Sequence, residues 1–254
     1  MMKRRASTIL FLSFAITAAS FAACASTPGR AISLTLFAQG EGGASFTTRT
    51  GWDVVLTEAR LAIGPVYVLA PRATALLRLL SIPTAYAHGG ADEYATLGIR
   101  CEWLDQVSLD LLATQPTLLG MGAGSAGPIG DAEVDIDPPG PSIAAPTHGH
   151  QAWVAGTATM GGTSIPFEGG LDIADLTIAR RVQGIPASGS VDEGSTITVV
   201  VHVRSWVDEM HFDRLAVPTT GSTREIVAGT QPYDAWILGA RTSTAFAVTT
   251  GATR

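Results

Sequence analysis

The chain has almost no means of covalent cross-linking and no basic patch. Only two of its 254 residues are cysteine, Cys24 and Cys101. If Cys24 serves another purpose, no intrachain disulfide forms, and stability rests on a packed core, which a chain of this length can bury. Lysine occurs once, at Lys3, and no basic run follows it. An acidic balance without a basic patch excludes nucleic acid and argues against anionic membrane surfaces as partners. After the opening residues, no apolar run approaches the ~20 residues of a membrane-spanning helix. A G-x-S-x-G elbow and a catalytic-thiol signature are missing as well. Gly122 to Gly127 fits G-x-G-x-x-G, but Pro128-Ile129-Gly130 follows it. No helix N-terminus is there to hold a pyrophosphate, so the dinucleotide motif is rejected. These absences lead to the expectation that the protein is not an enzyme.

What is present begins at the N-terminus. Lys3, Arg4 and Arg5 precede an apolar run from Ile9 to Phe21, and Ala22-Ala23 leads into Cys24. Basic start, apolar centre and small-residue cleavage site make a secretory signal peptide. Removing residues 1–23 takes three of the 16 basic residues, leaving 13 arginines against 22 acidic residues, a net charge of −9. The small residues ahead of Cys24 resemble the lipobox of bacterial lipoproteins, with Phe21 where Leu is usual. That resemblance implies acylation (palmitate) at Cys24, with Ala25 behind it implying the outer membrane of a Gram-negative cell. The expected division is a signal peptide over 1–23, a lipid-anchored tether over 24–30 and one domain over 31–254. That domain would face the periplasm or the cell surface.

Period-two alternation dominates the rest. Ile32, Leu34 and Leu36 mark a strand, as do Trp52 to Leu56, Leu61 to Val68, Trp103 to Leu112, Gln151 to Thr159, Ser164 to Leu171, Leu171 to Val182, Thr196 to Val203 and Thr242 to Thr249. Gly64-Pro65 interrupts one run, where proline favours an edge or a bulge. Ala132, Val134 and Ile136 alternate with Asp131, Glu133, Asp135 and Asp137. This predicts a half-buried strand with an acidic solvent face, which is a better reading than a calcium loop. Gly120 to Gly130 reads as a loop. The spacing of Ala73, Leu76, Leu77 and Leu80 predicts a short helix over Pro71 to Ser81. A second helical turn is expected between Trp206 and Leu215, with Ser205 as its N-cap. The fold class expected is all-β, an antiparallel sandwich (Ig-like or jelly-roll-like) with one or two short helical insertions.

Gly51 to Ala59, Gly156 to Thr159 with Ile165 to Phe167, and Trp206 with Phe212 resemble uncharacterised predicted lipoproteins of Gram-negative, particularly myxobacterial, bacteria. A late strand followed by Trp and Phe is similar to the copper-binding partner proteins of methanobactin systems, whose disulfide-forming cysteines are missing here.

His148-Gly149-His150 is the most chemical feature. On an extended segment, residues two apart project to one side, so both imidazoles would reach one ion, and neutral imidazole suits zinc, copper or nickel. His88, in a glycine loop, leads the candidates for a third ligand, followed by His211. His202, Glu102, Asp208 and Glu209 complete the set. The five tryptophans are expected in the core, with stacking on a sugar as the functional counterpart. Two functions stand: an exported lipoprotein that binds copper or zinc through histidines, or an envelope module that binds a protein or glycan partner without metal.

Overall fold

Alternation makes the first strand. In β1 (Ala31–Gly40), Leu34, Leu36 and Ala38 are fully buried. Each such leucine contributes about 1.5–3 kcal/mol by leaving water. The computed structural model describes residues 29–71, 98–173 and 180–252. Among these, β1 is followed by β2 (Ser45–Thr47), β3 (Asp53–Ile63), β4 (Val66–Leu69), β5 (Ile99–Trp103), β6 (Val107–Asp110), β7 (Thr117–Ser125) and β8 (Gly127–Asp135). Next come β9 (Ala152–Met160), β10 (Thr163–Leu171), β11 (Arg181–Val191) and β12 (Ser195–Val201). The helix α1 (Arg204–Val207), β13 (Arg224–Glu225), the helix α2 (Gln231–Ala240) and β14 (Phe246–Ala252) complete the order. No helix among the described residues is long and apolar enough to cross a membrane.

The all-β class holds, but the strand pairing differs from a sandwich of two open antiparallel sheets. Eight strands close on themselves in the order β1-β12-β14-β11-β8-β4-β5-β7, with β1·β12 and β11·β14 parallel. The remaining six form a second sheet in the order β13-β10-β9-β3-β2, with β6 also on β3. The short strands β4 and β5 close the first sheet by bridging β8 to β7. One apolar core draws side chains from both sheets, including Leu34, Val68 and Val199 from the first and Leu61, Val154 and Phe167 from the second. The chain changes sheet at Gly64-Pro65, where the predicted interruption falls between β3 and β4.

Three local expectations are corrected. Residues 120–130 are strand, with only Ala126 separating β7 from β8. The glycines there serve close approach, since a Cβ at Gly124 would lie 2.1 Å from the Arg100 carbonyl oxygen and one at Gly122 2.5 Å from Cys101 Sγ. The acidic face of β8 is covered: Glu133 is 7% and Asp135 2% exposed. Arg181 of β11 meets Asp135 through two 2.7 Å hydrogen bonds, lies 3.6 Å from Glu133 and sits over the Tyr67 ring at 4.9 Å. The hydrogen bonds to Asp135 hold the guanidinium above its ordinary pKa. Finally, α1 starts at Arg204 with Val203 at its N-cap, so Ser205 lies inside the turn and makes no cap. The predicted helix beyond Pro71 and the loop carrying His88 lie outside the described residues.

Cys101 is buried and free. Burial pushes its thiol up to about 12, which keeps it protonated.

The Arg181–Asp135 pair generates a stability prediction. Arg181→Met strands a buried carboxylate and is expected to cost about 3–5 kcal/mol in urea unfolding. Asp135→Leu combined with Arg181→Met should recover at least half of that loss.

Candidate functional site

The His148-Gly149-His150 segment is a turn and not an extended strand. A 3₁₀ turn over Ala145–Thr147 ends at His148, whose φ of 54° and ψ of 24° are left-handed, and Gly149 follows with φ 84°. The Gly149 amide donates to the Ala144 carbonyl and the His148 amide to the Ala145 carbonyl. This is a Schellman closure with histidine at the position usually taken by glycine. Gln151 then fixes the turn to the sheets. Its amide nitrogen donates to the Ile136 carbonyl at 2.7 Å, and its side-chain oxygen accepts from the Ile173 amide. Its own backbone joins Ala62 and Leu171.

The turn lays both imidazoles against one indole. Ala152 and Val154 point into the core, so Trp153 stands on the outer face of β9. Its cross-strand neighbours are Arg60 on β3 and Gly170 on β10. The His148 ring stacks on Trp153 with centroids 4.2 Å apart, and His150 stacks with centroids 5.7 Å apart. His148 turns toward β3, where its Nε2 lies 3.3 Å from both carboxylate oxygens of Glu58. His150 turns toward β10, sits over Gly170, and has its Nδ1 2.8 Å from Asp172 Oδ2. Each imidazole thus spends one nitrogen on a carboxylate, and the other nitrogen has no hydrogen bond among the described residues. A carboxylate on the far nitrogen is how metal-binding histidines are held in one orientation.

Beside His150 lies a cavity of about 390 Å³ whose walls include Trp153, Glu168, Asp172, Glu225 and Tyr233. The Tyr233 hydroxyl donates to the Asp172 carbonyl at 2.8 Å and accepts from its amide at 3.1 Å, which fixes the rim. Tyr233 comes from α2, a helix that the sequence reading missed. Its signals were present: Pro232 in the first turn, Asp234 beside it, and Tyr233, Trp236, Ile237 and Ala240 at helical spacing.

The other predicted ligands are not gathered here. His211 lines a separate cavity of about 640 Å³ with Arg49, Asp208 and Glu209, and none of its lining residues lines the cavity beside His150. His202 pairs through Nδ1 with Glu41 at 2.8 Å. Glu102 is buried beside Cys101 on β5. His88 and Cys24 lie outside the described residues. Among the described residues, no three His, Cys, Asp or Glu side chains are arranged to hold a metal ion. Of the tryptophans, Trp52, Trp103, Trp206 and Trp236 are buried, and only Trp153 is half-exposed.

No family model matches the chain, and no curated protein matches it. The likeness to myxobacterial lipoproteins therefore finds no support there. Among solved structures, MbnP from Methylosinus trichosporium is similar over 88% of this chain and 99% of its own, at 9% identity and a TM-score of 0.35. A likeness that distant bears on neither fold nor ligand.

The left-handed backbone at His148 generates its own prediction. His148→Ala and His148→Gly both lose the ring, but only glycine fits that φ without strain. His148→Gly is expected to be about 1 kcal/mol more stable than His148→Ala in denaturant unfolding.

Proposed function

We propose that the protein is an exported lipoprotein, anchored through Cys24, that binds copper or zinc through His148 and His150 and catalyses no reaction. The observation that carries this reading is the placement of both imidazoles on one indole, each with a carboxylate on one nitrogen and the other nitrogen open. The two histidines are two residues apart, so their Cα atoms stay within about 7 Å. Because His148 turns toward β3 and His150 toward β10, a common ion requires one of the two side chains to rotate. His148 is the arm that moves, because its contact with Glu58 is long and its side chain is 46% exposed. Water completes the coordination, as copper and zinc accept it.

Calorimetric titration of the domain with Cu(II) or Zn(II) should give one ion per chain. Copper should also quench Trp153 emission, because a paramagnetic Cu(II) held by these histidines lies beside the indole. Alanine at both histidines should abolish the heat and the quenching together. Saturable heat unchanged in that double variant would sink the reading.

The second reading, an envelope module that binds a partner, is favoured by the cavity beside His150. At about 390 Å³, with Trp153 and Tyr233 in its wall and three carboxylates, it suits a glycan. Carboxylates accept sugar hydroxyls, and aromatic rings pack against sugar carbons. On this reading, NMR titration with cell-wall oligosaccharides in chelator shifts Trp153 and Tyr233. Glu168→Gln with Glu225→Gln then weakens binding about tenfold or more. No shift in chelator would leave the metal reading alone.

A further inference from the structure

Gly170 lies in β10 and is not among the glycines with positive φ, so its backbone does not call for glycine. The requirement comes from a side chain. A Cβ at Gly170 would fall 2.2, 2.3 and 2.5 Å from Cγ, Cδ2 and Nδ1 of His150, and these are its three nearest atoms. The imidazole therefore rests on bare strand backbone. Its Nδ1 lies 2.8 Å from Asp172 Oδ2, two residues further along the same chain segment. Trp153, the cross-strand neighbour of Gly170, closes another side of the ring. Floor, wall and acceptor together leave the imidazole little choice of orientation.

We propose that Gly170 and Asp172 form a seat for His150 that fixes its neutral ring with the proton on Nδ1 and presents Nε2 as the metal-binding nitrogen. Asp172 has only acceptor oxygens when ionised, so the nitrogen facing it carries hydrogen. The lone pair is then on Nε2. This makes His150 the fixed ligand and His148 the arm that swings. Gly170 and Asp172 are positioning residues, which act through His150 and do not touch the ion. The inference rests on the metal reading for its purpose, but the seat itself is present without metal.

The test separates the two. Nitrogen-15 NMR of the metal-free protein at about pH 8, where imidazole is neutral, should show His150 protonated at Nδ1. Asp172→Ala and Gly170→Ala should each return it to the Nε2-protonated form usual for a free imidazole. The same variants should weaken zinc binding about 10–100-fold. In the His150→Ala background, Gly170→Ala should have no further effect, since the ring it displaces is gone. If Gly170→Ala alone fails to fold, the His150→Ala/Gly170→Ala protein should fold, and its failure to do so would overturn the seat. So would a wild-type His150 protonated at Nε2, or Gly170→Ala with unchanged His150 resonances and zinc affinity. A correctly protonated ring in a protein that binds no metal would overturn the assignment of Nε2 as a ligand and the metal reading with it, while the seat's geometry would stand measured.

Discussion

The buried carboxamide of Gln151 is the contact on which the site depends. Its nitrogen bonds the backbone that leaves β8, its oxygen bonds the backbone just past β10, and its main chain enters β9. A buried amide satisfied on both ends is costly to disturb, because each broken bond leaves a desolvated polar group. Three segments far apart in sequence are thereby held at one corner. The turn that carries both histidines has no freedom to slide along the sheet. The left-handed φ at His148 is the local expense of that constraint, and it aims the ring back over β9 instead of into solvent.

What surrounds that turn was only partly legible in the sequence. Alternation identified β1, β9 and β12 because one face of each strand is apolar, and a period of two is visible without tertiary knowledge. The histidine pair stood out for the same local reason. Its geometry did not, since the two-residue rule holds only for extended backbone and the segment is a turn. Glu58, Trp153, Gly170 and Asp172 became site residues through strand register, which links positions as distant as 58 and 155. No short-range pattern carries that information.

The acidic run on β8 was misread for a related cause. Alternating Asp and Glu look like a wetted face until something covers them, and Arg181 approaches from β11, 46 residues beyond Asp135. Residues 120–130 were misread because glycine is rare in strands, yet here it lets β7 pass against the backbone of β5. Closure of the first sheet follows from the same crossing. The small strands β4 and β5 stitch β8 to β7 where a sandwich would have left two edges.

Cys101 lies at that crossing, sealed beneath Gly122 and kept as a thiol well into alkaline solution. The fold thus carries this sulfur where neither oxidants nor mixed-disulfide partners reach it. The described architecture is indifferent to the redox poise around it, because its one internal thiol is closed to exchange.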